Sequence, residues 1–585
     1  MSFYDLLAPA EFVAVDRHMD VVRFAPGACI LEEGTSGDEC YLISDGRVRL
    51  EVHSTELDSD AVLDYLEAGQ VLGEFSLFDQ RARSASAFAD TAVTARRLTR
   101  AAFDELCAVE PRLGVTLLKH MAQDFTFKLR HMDDKLKSFI WQGKAPAWVD
   151  DMVARGAAAQ AKFADWPEER VDALIEEIAA EVLAAAASLA ADAVRETGLG
   201  VVEHKTQKIT LAARLMRDAL VGRPARGALP TDEPRHVTEI LCPLGVVLGL
   251  IPLTNPVSTM LFKTLICLKS RNALIASCHR KALGVGGRLG DLIHAVMKRH
   301  GADEDLVQWI RERGSRATTA AFMTHPGVAL ILATGGPSMV HAAYSSGTPA
   351  IGVGAGNAPV WVCPDADLEA TARCVIASKS FDNGVICGSD NNLVVDQSVV
   401  EPFVAALQAN GAALLCESEI ATFTARVTDD KGHVRPELIG KSAQHLLAHA
   451  GIVRLEAAQL IVVPLAREQL DGPWGREKLA PIISLLTVDG EADGLAVCER
   501  ILTNMGAGHT AIIHTQDHSL ALRYAESMPA SRVLVNCGGA TGCIGVGNGL
   551  AHSWTLGCGS WGGTSTTDNV TYRNLLNVKR LAEAI

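Results

Sequence analysis

Two apolar runs, Leu244 to Ile251 and Val328 to Ala333, set the strongest limit on the fold. Neither offers a polar face to water, so each needs cover on both sides. That is the situation of a strand in a parallel sheet flanked by helices. From about Pro146 such runs alternate with helical patterning, and strands joined by crossover helices specify an α/β fold. At 585 residues the chain exceeds what one core sustains, so two or three domains are expected.

The front has a different texture. To about Asp104 it reads as short alternating strands between Gly and Asp turns, with Val48, Leu50 and Val52 on one face after the Asp45-Gly46 turn. Leu118, Met121, Phe125, Leu129, Met132, Leu136 and Phe139 then recur at intervals of three and four, the apolar stripe of one long helix. The stripe either pairs with its copy in a dimer or packs on its own domain. Lys144-Ala145-Pro146 marks a boundary.

Composition narrows the classes. Hydrophobic residues at 48% and charged residues at 21% describe a chain that folds throughout. A net charge of -15 disfavours any phosphate-backbone partner, so no nucleic acid is expected. The start, Met1 to Asp5, is no export signal, and no later stretch approaches 18 uninterrupted apolar residues. A cytoplasmic protein without a membrane partner follows. The 14 cysteines show no Cys-x-x-Cys spacing, which points to a reducing compartment and away from a metal site or disulfide framework.

In the front segment, Pro26 to Ile30, Gly34, Gly37-Asp38, Tyr41 to Gly46, Gly73-Glu74-Phe75-Ser76-Leu77-Phe78 and Arg83-Ser84-Ala85 follow in order. This resembles the cyclic-nucleotide-binding domain of bacterial catabolite-activator proteins and kinase regulatory subunits. The resemblance implies a cyclic nucleotide held at Gly73, Glu74, Arg83 and Ser84, with Glu74 accepting the ribose 2′-hydroxyl and Arg83 and Ser84 on the phosphate. A helix opening at Gly73-Glu74 offers N–H groups to an anion, and a guanidinium suits an oxyanion. Lys128 stands where the activator pattern has a hydroxyl residue against the base, so adenine and guanine both stay open. The alternative is a degenerate β-roll kept for dimerisation, with Glu74 and Arg83 as a surface ion pair. No DNA-reading helix-turn-helix follows; the chain runs straight into the α/β region.

The string Ser380-Phe381-Asp382-Asn383-Gly384-Val385-Ile386-Cys387-Gly388-Ser389 is accompanied in order by Ile251 to Pro256, Leu332 to Pro337, Ala342 to Gly347, Gly352 to Asn357, Glu477 to Pro481, Gly508-His509-Thr510 and Thr555 to Gly563. From about Trp148 to its end the chain resembles coenzyme-A-acylating aldehyde dehydrogenases, including the aldehyde half of bifunctional aldehyde–alcohol dehydrogenases. The resemblance implies an aldehyde dehydrogenase fold: a small β-roll with a long helix over 1–140, a Rossmann-like NAD-binding domain over 146–358, and an α/β catalytic domain with a C-terminal return segment over 359–585. It also implies a homo-oligomer, and an aldehyde, NAD and coenzyme A as reactants.

Within that frame Cys387 is the expected nucleophile, bracketed by Gly384 and Gly388 as flexible backbone that leaves room for substrate. Cys267, Cys374, Cys498 and Cys558 read as packing residues. The Cys387 N–H and the Asn255 amide are the oxyanion donors, though Thr254 holds the place that hydrolytic relatives give to the amide, and Asn255 also reads as a turn residue before Pro256. Thr254, Gly335, Gly336 and Glu477 are assigned to the dinucleotide, Glu477 at the nicotinamide ribose. Gly352-x-Gly354-x-Gly356 reads as a hinge between domains, and Ser277 stands where hydrolytic relatives carry a lysine on the adenosine ribose. His509 is either an additional polar catalytic residue or a satisfied core histidine.

Hydrolytic relatives activate water with a Glu whose place here falls on Val353, so the thioester is expected to await coenzyme A. An acid-forming dehydrogenase and a non-catalytic cyclic-nucleotide sensor are the competing readings. Acetaldehyde is the default substrate, with sulfoacetaldehyde and propionaldehyde open.

Overall fold

The computed structural model describes residues 9–54, 59–74, 82–119, 146–311 and 316–585. The chain divides into two units, Met1–Ile140 and Trp141–Ile585.

The first unit pairs two antiparallel four-stranded sheets. One runs Asp20–Phe24, Val93–Thr99, Glu39–Asp45, Val71–Leu72; the other Cys29–Leu31, Ser86–Ala89, Val48–Ser54, Ser59–Leu66. The turn after Asp45 depends on Gly46, whose φ is +91° and where a Cβ would lie 2.2 Å from the Ala92 carbonyl oxygen. Val48 is buried and Leu50 packs beside it, as the alternation implies. Leu118, near the end of the helix described over 111–119, is exposed. The rest of the expected stripe, Met121 to Phe139, lies outside the described residues, as do Lys128, Lys144 and Ala145.

The second unit is built on two parallel sheets. The first contains β1 (Val246–Ile251), β2 (Ala273–Cys278), β3 (Val307–Trp309), β4 (Val328–Ala333) and β5 (Ala350–Gly352), in the spatial order β3-β2-β1-β4-β5. The second contains β6 (Ala358–Val362), β7 (Asp390–Asp396), β8 (Ala412–Leu414), β9 (Leu460–Pro464), β10 (Ile482–Val488), β11 (Gly508–His514) and β12 (Ala530–Val535), ordered β8-β9-β10-β7-β6-β11-β12. Every residue of β1 and β7 is buried, the consequence of helices on both faces. In the first sheet the chain order reverses between β1 and β4. In such sheets ligands bind beyond the carboxyl ends of the strands at the reversal.

Two helices position the site. α1 spans Val202–Leu220, and α2 spans Pro256–Lys269, with Pro256 at its first turn, where the missing N–H costs nothing. α2 is buried all round, yet contains two lysines. The Lys263 ammonium donates to the carbonyls of Leu250 and Leu332, 2.7 Å each, tying α2 to β1 and β4. Lys269 is held by Glu168 and Asp172 at 2.5 and 2.6 Å. The C-terminal strand Leu576–Ala582 returns to pair antiparallel with Val237–Pro243, far back in the sequence.

Among the described residues no helix is long and apolar enough to cross a membrane, and no cluster of His, Cys, Asp or Glu could hold a metal ion. All the cysteines are free; Cys267, Cys498 and Cys558 are buried, while Cys374 is half-buried.

Trp361 on β6 is fully buried against Tyr524, ring centroids 5.6 Å apart, and fills the space left by Gly494. Trp361→Ala is expected to cost about 3–5 kcal/mol, read as a lower urea midpoint of the second unit. An unchanged midpoint would contradict this packing.

Candidate active site

A cavity of about 800 Å³ lies between the carboxyl ends of the first sheet and the amino-terminal approaches to the second. Ile251 to Asn255 reach it beyond β1, Ser277 to Arg280 beyond β2, Thr334 to Gly336 beyond β4 and Val353 to Ala355 beyond β5. The other wall is formed by Phe381, Val385 to Cys387, Glu477, Leu479, Trp554 and Leu556. Cys387, Asn255, Thr254, Gly335, Gly336 and Glu477, expected from sequence to act together, therefore line one space. Val353 faces it as well.

The loop that delivers Cys387 is unusual backbone. Asp382, Asn383 and Gly384 all have positive φ, at 50°, 54° and 73°. Asp and Asn tolerate this region better than other side chains. The glycines on either side of Cys387 serve a different purpose from the one expected. A Cβ on Gly384 would lie 2.5 Å from the Ala480 carbonyl oxygen, and one on Gly388 would lie 2.4 Å from the Cys543 sulfur. They permit tight packing behind Cys387, which lines the cavity on its other side. Gly356, expected as part of a hinge, presses on the same loop: its Cβ would sit 1.7 Å from the Cys387 carbonyl oxygen.

Cys387 lines the cavity and is half-buried. Burial, then Cys543, Glu477 and Cys558, push its thiol well above the ordinary range, while Arg532 pulls it down. Cys387 is thus a protonated thiol at rest, and any attack by its sulfur requires that the proton leave.

Asn255 stands at the N-cap of α2 but makes no capping hydrogen bond with its side chain. Its carbonyl oxygen is taken instead by the Lys208 ammonium, which also donates to Asp382. Lys205, one turn earlier on α1, donates to Asp382 at 2.9 Å and to the Thr254 carbonyl at 3.0 Å. The second Asp382 oxygen accepts the Val201 N–H at 2.8 Å. Burial and then Lys205 lower the Lys208 pKa to about 7, against the pull of Asp382. Sequence reasoning missed both lysines. Charges three apart on a half-polar helix ordinarily face solvent, and only tertiary structure shows these two turned inward.

Glu477 is half-buried, accepts the Gly356 N–H, and has one buried oxygen, Oε1, without a hydrogen-bond partner. Burial pushes its pKa up to about 7, partly opposed by Lys379. Such an oxygen suits a ribose hydroxyl, and the Thr334 hydroxyl on the same cavity is likewise unpartnered. Gly336 caps α3 (Pro337–Tyr344), and a Cβ there would meet nothing of the protein within 4 Å. The open side of that turn is a cradle for backbone-close contact with a dinucleotide, so the residues present fit NAD. Ser277, on the same wall, is followed by His279 and Arg280.

His509 does not line the cavity. It is fully buried at the start of β11, with Nδ1 2.9 Å from the Thr510 hydroxyl and Nε2 unpartnered. Burial, then Arg532, lower its pKa to about 3, so it is neutral here.

In the first unit Arg83 and Glu74 are both buried, unlike the surface ion pair of the alternative reading. The Arg83 guanidinium donates to the carbonyls of Gly73 at 2.7 Å and Glu39 at 2.9 Å. A Cβ on Gly37 or Gly73 would lie 2.1 or 2.6 Å from it, so both glycines make room for the guanidinium. Ser84 is exposed, and Phe75 to Phe78 lie outside the described residues.

Residues 139–428 match the sequence model of the Aldehyde dehydrogenase family, and residues 21–110 that of the Cyclic nucleotide-binding domain. The chain is 36% identical over 448 residues to aldehyde-alcohol dehydrogenase 2 of Entamoeba histolytica, covering 74% of this chain and 51% of that one. The chain therefore spans about half the length of the bifunctional relatives it matches. It is also 36% identical over 448 residues to the sulfoacetaldehyde dehydrogenase (acylating) of Cupriavidus necator, covering 75% of this chain and 89% of the other. Among solved structures, an acetylating aldehyde dehydrogenase from Geobacillus thermoglucosidasius superposes with a TM-score of 0.73 at 36% identity, over 75% of this chain and 97% of that one.

The glycine contacts make separable predictions. Gly356→Ala is expected to displace the Cys387 backbone and lower turnover about 100-fold, since near-ångström misplacement at a reacting centre has that effect. Gly336→Ala is expected to leave the thermal midpoint unchanged and weaken NAD binding, followed by fluorescence titration. A Gly356→Ala enzyme of ordinary turnover would remove the packing argument.

Proposed function

The chain belongs to the aldehyde dehydrogenase family, and we propose that it oxidises a short aldehyde with NAD and transfers the acyl group from Cys387 to coenzyme A, under the influence of a cyclic nucleotide bound to its front domain. The observation that carries the acylating part is the cavity lining: Val353 faces the space that holds Cys387, and among the described lining residues Glu477 is the one carboxylate. We assign residues 146–358 to NAD binding and 359–585 to chemistry, as the distribution of cavity residues over the two sheets supports.

The Cys387 sulfur, having released its proton to solvent water in the cavity, bonds to the aldehyde carbon, and the carbonyl oxygen becomes an oxyanion. The Asn255 Nδ2 and the Cys387 N–H are the donors assigned to that oxygen; a preorganised donor of this kind is worth roughly 3–4 kcal/mol in the transition state. Bound NAD supplies the hydride acceptor, which leaves a thioester on Cys387. Val353 cannot take a proton from water, so the thioester persists until the thiol of coenzyme A attacks it, releasing acyl-CoA and returning a proton to Cys387. Thr254, Gly335, Gly336 and Glu477 hold the dinucleotide in this reading. His509, neutral and outside the lining, is given no step.

The cavity lining includes the apolar side chains Leu211, Phe381, Val385, Ile386, Trp554 and Leu556, and the ammonium of Lys208, also on the lining, is already engaged by Asp382 and Asn255. This favours a short uncharged aldehyde over an anionic one. A panel of acetaldehyde, propionaldehyde and sulfoacetaldehyde, followed by NADH formation with and without coenzyme A, tests both points.

Cys387→Ser is expected to abolish acyl-CoA formation with NAD binding retained, and Val353→Glu to introduce carboxylic acid as a product. Rapid acid formation by the unaltered enzyme would overturn the acylating reading. In the front domain, Gly73, Glu74, Arg83 and Ser84 are assigned to the cyclic nucleotide, with Arg83 on its phosphate. Arg83→Ala is expected to weaken cyclic nucleotide binding at least tenfold by calorimetry and to remove any nucleotide-dependent change in NADH formation. If neither cyclic AMP nor cyclic GMP binds the unaltered chain at millimolar concentration, the assignment falls.

A further inference from the structure

We propose that Lys208 is a positioning residue for the thioester-forming step, anchored by Asp382 and holding the Asn255 amide with its N–H groups toward the substrate oxygen. This rests on the roles proposed above for Cys387 and Asn255.

Three stretches distant in sequence meet at one buried point. α1 supplies Lys205 and Lys208, the loop beyond β1 supplies Thr254 and Asn255, and the loop before Cys387 supplies Asp382. The Lys208 ammonium bridges the last two, because it donates to Asp382 and to the Asn255 side chain at once. An ammonium carries donors only, so the amide atom it touches must be the carbonyl oxygen. This fixes the direction of an otherwise ambiguous amide. The Asn255 Nδ2 is turned away from Lys208, 3.3 Å from the Thr254 hydroxyl, on residues that line the Cys387 cavity. Without the ammonium, nothing else seen in this arrangement holds the amide oxygen back. A rotated amide would present that oxygen to the developing oxyanion and repel it.

Lys205 does not share this role. It bonds the same Asp382 oxygen and a backbone carbonyl, so it braces the loops without touching the Asn255 side chain. Asp382 keeps Lys205 and the Val201 N–H as partners when Lys208 is replaced.

The test is Lys208→Met, a side chain of similar length without donors. Its kcat is expected to fall 10- to 100-fold, with the dissociation constant of NAD within threefold of the unaltered enzyme. Hydride transfer is expected to become rate-limiting, so that deuterium on the aldehyde carbon slows the variant more than the unaltered enzyme. In an Asn255→Ala background the same replacement is expected to cost less than threefold, because its target is gone. Lys208→Gln, which retains a donor, is expected to lie between the two in kcat. An equal loss in both backgrounds, or a Lys208→Met turnover within threefold of the unaltered enzyme, would overturn the proposal. Cys387→Ser separates this failure from that of the underlying reading. If Cys387→Ser is inactive while Lys208→Met is unimpaired, the acylating assignment stands and the Lys208 role falls; if Cys387→Ser turns over, the assignment itself fails.

Discussion

The buried carboxylate of Asp382 joins one helix and two loops into one site. It is fully enclosed and its backbone sits in the left-handed region, two features that oppose folding. A left-handed non-glycine residue costs roughly 1–2 kcal/mol, and an unpaired buried charge costs several. Two ammonium groups and a backbone N–H offset these terms, and together they hold its pKa below the usual carboxylate value despite burial. Such a triad adds little net stability over an apolar core of the same shape. What it supplies is register: the loop before Cys387, the start of α2 and α1 are held to one arrangement because each offers the partner that the others lack.

The same close packing surrounds Cys387 and keeps its thiol protonated. Gly356, Gly384 and Gly388 each leave out a side chain so that other backbone or sulfur can approach the Cys387 segment. The result is a cysteine whose far side is dense protein and whose near side is a cavity of mixed polar and apolar walls. Desolvation then keeps the thiol protonated. Placement accordingly matters more here than intrinsic acidity, since a nucleophile that must lose its proton in place depends on where the neighbouring polar groups stand.

Much of this was legible in the sequence, but unevenly. Fully buried strands announce themselves through uninterrupted apolar runs, and β1 and β4 fall within the two runs read first. Gly335-Gly336-Pro337 lies between β4 and α3, as a strand-to-helix turn should. Glycine spacing shows only that a side chain is missing, not what fills the place, and so Gly384 and Gly388 read as freedom when they are contact. Lys205 and Lys208 were invisible for a related reason. Their partner Asp382 lies 177 and 174 residues away in sequence, and no local pattern distinguishes a solvated lysine from one folded onto such a partner. His509 shows the opposite case, a residue whose family context suggested the cavity and whose burial places it behind the wall.

The fate of a thioester on Cys387 follows from what the cavity can and cannot ionise. Hydrolysis needs a base aimed at a water beside the acyl carbon. Val353 offers none, and Glu477, with a pKa near 7 from burial, is held by the Gly356 N–H. A thiol co-substrate has a different requirement. It brings its own nucleophile and needs only entry and a stabilised oxyanion, both of which the first addition already used. In the proposed reaction, a site that positions one amide and withholds a base would serve two successive additions at the same carbon and leave water the poorer competitor.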